Sequence, residues 1–133
     1  MNQEYVNILS GLSGLEEIEF TECDFEDDLD YSSLKNLKNL KKLTTNRVGS
    51  TLNAFKNVES LRSLVLYGNT SIDDEDIEII SGFNELESLK IDVRSIYAED
   101  FSPLKNLKNL SELEIEDGCD KVPEELKSLC SSN

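Results

Sequence analysis

Apolar side chains recur at fixed offsets in five stretches of this chain, and that recurrence constrains the fold more than any other property of the sequence. The stretches LEEIEFTEC, LKKLTTNRV, LRSLVLYGN, LESLKIDVR and LSELEIEDG begin at Leu15, Leu40, Leu61, Leu86 and Leu110 and align without a gap. Successive anchors lie 25, 21, 25 and 24 residues apart. Leu12, Leu37, Val58, Phe83 and Leu107 stand three residues before the anchors, and Leu9, Leu34, Phe55, Ile80 and Leu104 six before. Ile18, Leu43, Leu64, Leu89 and Leu113 stand three after, so all twenty positions are apolar. Only 38% of the chain is apolar, and independent placement would produce this about once in 10^8 trials. Five residues after the anchor come Phe20, Thr45, Leu66, Ile91 and Ile115, of which only Thr45 is polar. That exception marks the second repeat as the weakest.

Two periods share each repeat. A spacing of three, as in LKNLKNL from Leu34, suits a helical or 3-10 segment with one buried stripe. The alternation that follows suits a short strand with one buried face. Neither half hides its apolar side alone, and stacking the units buries both against a continuous core. The expected fold class is α/β: a solenoid of about five repeats, with a parallel concave sheet and a helical or 3-10 convex side. With no Gly/Ser or Pro-rich linker, residues 1–133 read as one domain.

The spacing and residue types resemble the leucine-rich-repeat family, whose motif is LxxLxLxxN/CxL. Residues 15–25 follow it in full, with Cys23 at the Asn/Cys position, and residues 61–69 follow it through Asn69. SPLKNLKNLSELEI, from Ser102, is similar to internalin-like repeats; SIDDEDIEIISGFNELESLKI, from Ser71, is closer to the ribonuclease-inhibitor type. VPEELKSL, from Val122, resembles the convex IPxxL motif of other subfamilies. The resemblance implies a ladder of inward-pointing side chains at the Asn/Cys position. Val48, Arg94 and Gly118 break it in repeats two, four and five. It also implies protein binding through the concave face.

Charge narrows the partners. The chain carries 28 acidic against 13 basic residues and no histidine, for a net charge of −15. Such a surface repels phosphate and anionic lipid, which excludes nucleic acid and membrane surfaces, and it steers a basic or bipolar protein toward it. The N-terminus lacks a basic start and an apolar run, so it does not read as a signal peptide. Three cysteines, Cys23, Cys119 and Cys130, are sparse and odd in number, which favours a reducing, cytoplasmic setting. Cys23 reads as buried and inert. Cys119 and Cys130 read as free thiols there, or as a capping disulfide if the protein works outside the cell. Both ends look thinly capped, as in a fragment of a longer solenoid or one with an end covered by a neighbour.

The inventory does not favour catalysis. There is no histidine base, Gly-rich phosphate loop or Cys-pair metal spacing, so neither an enzyme nor a cofactor is expected. The acidic clusters around Asp24–Asp30 and Asp73–Glu78 lack the spacing and glycine of a calcium loop. The second reads instead as a helix start capped by Ser71 or Asp73. Asn69-Thr70-Ser71 and Asn109-Leu110-Ser111 match the glycosylation pattern but read as chance, with Asn69 pointing inward. The convex Lys35, Lys38, Lys105 and Lys108 read as solvated.

The surface most suited to a partner is the centre of the concave face. Alternation along the strands places Thr44, Asn46, Arg47, Val65, Tyr67, Lys90, Asp92 and Val93 there, with acidic repeats on both sides. An aromatic anchor ringed by charge is an interface plan. The expected function is a protein-interaction module using this face. The alternatives are an extracellular or cell-surface recognition segment and an architectural segment of a larger protein.

Overall fold

A computed structural model describes residues 1–131 of the chain; Ser132 and Asn133, the last positions of the expected domain, lie outside it. Its elements run α1 (Gln3–Ser10), β1 (Glu17–Phe20), a 3-10 turn (Ser32–Asn36), β2 (Lys42–Thr45), α2 (Val48–Phe55), β3 (Ser63–Ile72), α3 (Asp74–Ile80), β4 (Ser88–Ile96), a 3-10 turn (Ser102–Asn106), β5 (Glu112–Ile115), two short 3-10 turns (Cys119–Lys121, Glu124–Leu126) and β6 (Cys130–Ser131). The six strands form one sheet in chain order, every neighbouring pair parallel. No helix among the described residues is long and apolar enough to cross a membrane.

The repeat is visible in one recurring backbone junction. The carbonyl just after an anchor leucine accepts two N–H groups from the start of the next strand. Glu16 accepts from Lys41 and Lys42 at 2.7 and 3.1 Å, and Lys41 from Arg62 and Ser63, both at 2.9 Å. Arg62 accepts from Glu87 and Ser88 at 2.8 and 3.0 Å, and Glu87 from Ser111 and Glu112 at 2.8 and 3.1 Å. The same junction four times sets one register where strands β1 to β5 begin. Side chains therefore stack in rows: Ile18, Leu43, Leu64, Leu89, Leu113 and Cys130 in one, Phe20, Thr45, Leu66, Ile91 and Ile115 in the next.

Sequence decides which convex element each repeat uses. Both LKNLKNL segments make 3-10 turns, since a spacing of three keeps their leucines on one edge of a three-residue turn. Each is started by an aspartate: Asp30 and Asp100 accept from the N–H of Ser32 and Ser102 at 2.9 and 3.0 Å. The backbone and then the side chain of Ser32 hold the Asp30 carboxyl below the ordinary carboxylate range, and the side chain and then the backbone of Ser102 do the same for Asp100. The longer apolar stripes in VGSTLNAF and DEDIEII make α-helices. At α3 the cap is Asp73, not Ser71, in a reciprocal box with Asp76: Asp76 N donates to Asp73 at 2.9 Å, and Asp73 N to Asp76 at 3.0 Å.

Four aromatic rings close the core toward its N-terminal end. Phe25 meets Phe20 and Phe55 edge-on, at centroid distances of 4.9 and 5.7 Å, and Tyr31 at 5.8 Å. Helix α1 docks there through Gln3, which bonds both the N–H and the C=O of Asp30 at 2.8 Å. At the other end Cys119 and Cys130 are joined in a disulfide, with Cα atoms 5.7 Å apart, rather than standing as free thiols.

The expected ladder is not there. Among the positions assigned to it, Cys23 is free and only partly buried, Asn69 and Arg94 are exposed, and Val48 is buried at the start of α2. Gly118 is buried, and a Cβ there would run into the Ile115 side chain. The rung-like role falls to Asn46, two residues earlier than the motif position. Its Oδ1 accepts from Glu22 N at 2.8 Å, and its Nδ2 donates to the Glu22 carboxylate at 2.8 Å. That pair holds Glu22 in the left-handed region, at φ 56°.

Candidate functional site

On the concave face the register builds three further rows. One runs Glu17, Lys42, Ser63, Ser88, Glu112; the next runs Glu19, Thr44, Val65, Lys90, Glu114, Ser131. In the third, Tyr67 stands opposite Asp92. Carboxylates thus occupy both flanks, and the apolar surface lies between them on β3.

Val65 and Tyr67 are half-buried, so each keeps contact area for a partner. The Tyr67 side chain leans back across β2: its hydroxyl donates to Glu19 Oε2 at 3.4 Å and lies 3.5 Å from Thr21 Oγ1, both at the β1 end of the sheet. Gly68 makes this approach of the strands feasible. It sits at φ 94°, and a Cβ there would stand 3.1 Å from Asn46 Cβ. The strand register then slips between Gly68 and Ser71, the irregularity expected of a β-bulge.

Of the eight residues expected here, Thr44, Val65, Tyr67, Lys90 and Asp92 lie on the face with surface to offer. Lys90 is already paired with Glu114 at 3.1 Å. Arg47 is half-exposed and engaged at the face's upper rim, its guanidinium on the Glu22 carboxylate and 3.2 Å from Asp24. Asn46 is only 9% exposed and spends its amide on Glu22. Val93 is 8% exposed, in the core rather than on the face. β4 runs on to Ile96, so alternation continues past Asp92 and turns Val93 inward. Sequence reasoning missed the extra length of β3 and β4, and with it the bulge at Gly68. The signal was present in YGNTSI, where glycine interrupts a β-prone run.

Two shallow depressions flank the centre. One, about 280 Å³, is lined by Glu17, Ile18, Glu19, Lys42 and Thr44. The other, about 350 Å³, lies among Ser88, Lys90, Glu112, Glu114, Leu129 and Ser131. A further depression, about 530 Å³, is on the convex side, where Lys35 and Lys38 share it with Glu59, Asn57 and Ser60. It is not a purely basic groove.

The chain resembles the crystal structure of internalin C2 from Listeria monocytogenes, with a TM-score of 0.59 over 94% of this chain. The fold is a leucine-rich-repeat solenoid. Identity to that structure is 20%, and the match spans 54% of the other chain, about half its length. No protein-family model matches the sequence, and no curated protein matches it by sequence. The likeness therefore carries the architecture of this leucine-rich-repeat chain, and the repeat subfamily is left open between the types its segments resemble.

Proposed function

We propose that this solenoid is a non-catalytic protein-interaction module that binds its partner on the centre of the concave face. The observation that carries the reading is the placement of Val65 and Tyr67, half-exposed side by side on β3 between acidic flanks. Burying an aromatic and an aliphatic side chain supplies the affinity, while charge at the rim selects the partner. Thr44 and Asp92 complete the contact surface, and the acidic flanks favour a basic or bipolar protein over nucleic acid or an anionic membrane. Asn46 and Val93 are not part of the proposed site.

A photo-crosslinking residue at Asp92 tests this in extract from the source cells. The expected outcome is one discrete adduct that disappears in a Val65→Glu/Tyr67→Ala variant of equal circular dichroism. An adduct that persists in that variant, or one formed equally from Lys38 on the convex side, refutes the site.

A second reading, a recognition segment working outside the cell, is favoured by the Cys119–Cys130 disulfide, because such bonds persist in oxidising compartments. The sparse cysteines favour the cytoplasm instead. Counting reactive thiols in protein taken from its native source separates them: one thiol supports the outside, three the cytoplasm.

A further inference from the structure

Among the described residues β1 hydrogen-bonds to a neighbouring strand on one side only, because it ends the sheet order. Its other side presents backbone donors and acceptors that a further strand would satisfy. The core rows are also open there. Ile18 and Phe20 are only half-buried, whereas Leu43, Leu64 and Leu89 in the first row, and Leu66, Ile91 and Ile115 in the second, are buried. On the same end of the solenoid Tyr5, Ile8 and Leu12 remain 61, 57 and 50% exposed. On its concave side stand Glu17 and Glu19, beside the depression that reaches Ile18.

The interior of the sheet shows what such an edge accepts. On the concave rows cations stand next to carboxylates in register: Lys90 beside Glu114, bonded at 3.1 Å, and Lys42 beside Glu17. On the edge strand itself Glu17 has Lys42 on its inner side only, and among the described residues no strand brings a cation to the outer side. The first 34 residues hold ten carboxylates and no lysine or arginine.

We propose that β1 is a docking edge for a partner strand in which Lys or Arg alternates with apolar residues. The basic side chains stand beside Glu17 and Glu19 and continue the alternation of charge. The apolar ones extend the rows of Ile18 and Phe20, and apolar residues flanking the strand cover Tyr5, Ile8 and Leu12. A second copy of this chain is a poor occupant, because the two edges would set carboxylate against carboxylate. The edge adjoins the concave centre, since the Tyr67 hydroxyl donates to Glu19, and the two readings are told apart by which pair of substitutions abolishes peptide binding.

Fluorescence anisotropy of the full chain with labelled eleven-residue peptides tests it. The probes are an alternating Lys/Val peptide, the same residues with the alternation scrambled, an alternating Glu/Val peptide, and the Lys/Val peptide N-methylated along one edge. The alternating Lys/Val peptide is expected to bind at least tenfold more tightly than the scrambled one and to lose binding on N-methylation. A Glu17→Lys/Glu19→Lys variant is expected to reverse the preference toward the Glu/Val peptide. Equal binding of the scrambled peptide would reduce the effect to diffuse charge attraction and overturn the proposal. So would dimerisation through this edge, seen by sedimentation as a concentration-dependent species that the peptide does not displace. Loss of the peptide in Val65→Glu/Tyr67→Ala, with Glu17→Lys/Glu19→Lys unaffected, would also overturn it while leaving the concave centre as a binding surface.

Discussion

Thr45, Asn46, Thr51 and Asp76 are the polar side chains buried among the described residues, and each has a hydrogen-bonding partner. Buried polar groups persist only when paired. Asp76 is the one that carries charge. It lies 7% exposed in the first turn of α3, and burial pushes its carboxyl up to about 6, with Asp73 and Glu75 adding repulsion. Its pKa in the folded chain is thus above the ordinary 3.8, so the folded state holds this proton more tightly than the unfolded state does. The resulting stabilisation is full below about pH 4 and is lost as pH rises through about 6. Asn at this position keeps an acceptor for Asp73 N–H without the charge. Asp76→Asn should therefore raise stability at pH 7.5 by on the order of 1–2 kcal/mol, with the gain vanishing near pH 4. Urea unfolding of both chains between pH 4 and 8 checks this; a difference constant across that range would show that the charge is not responsible.

At the scale of elements, the polar core residue of the second repeat is buried with its hydroxyl paired. Thr45 on β2 and Thr51 on α2 share a 2.9 Å hydrogen bond, and both are fully buried. Thr45 Oγ1 also accepts from Arg47 N at 3.0 Å, at the turn that leads into α2. The pair thus ties the strand to the helix that covers it. Thr45→Val strands the Thr51 hydroxyl and the Arg47 N–H and should cost about 1–3 kcal/mol, whereas Thr51→Val leaves Thr45 Oγ1 its bond from Arg47 N and should cost less. The double substitution to Val should cost clearly less than the sum of the single Val losses, because no hydroxyl of the pair is left. Guanidinium unfolding midpoints of the three variants measure it, and strict additivity would mean that the two groups are not coupled. Sequence showed Thr45 as an exception but could not show its partner, since pairing depends on how α2 turns against β2. The missing ladder has a similar cause. The motif assigns that role by counting from the anchor, whereas the loop after each strand takes whichever side chain its own path brings to the neighbouring backbone. Asn46, six residues after Leu40, reaches Glu22.

For the whole molecule, the two ends are built differently. The C-terminal end carries β6, paired with β5 and fixed by the Cys119–Cys130 bond. The N-terminal end carries a helix, an open strand edge and exposed apolar residues. Closing a loop of 11 residues stabilises by roughly 2–3 kcal/mol. A Cys119→Ser/Cys130→Ser variant should lose about that much and show faster amide exchange at residues 126–131, with β1–β4 protected as before. Hydrogen exchange by mass spectrometry would reveal it; uniform acceleration across the sheet would mean that the bond supports the entire solenoid instead. By itself the sequence determined the repeat, the inward rows, the parallel sheet and the outward placement of Thr44, Val65, Tyr67, Lys90 and Asp92. Those follow from periods of two and three, which are local properties of the chain. Only the tertiary structure decided where strands end, which side chains are already engaged and which edge is open. Val93 turns inward because β4 is longer than its motif, Asn46 and Arg47 are held by Glu22, and β1 has no outer neighbour among the described residues. Each depends on residues some 24 positions away or on the neighbouring strand, and a periodic pattern carries no record of such meetings.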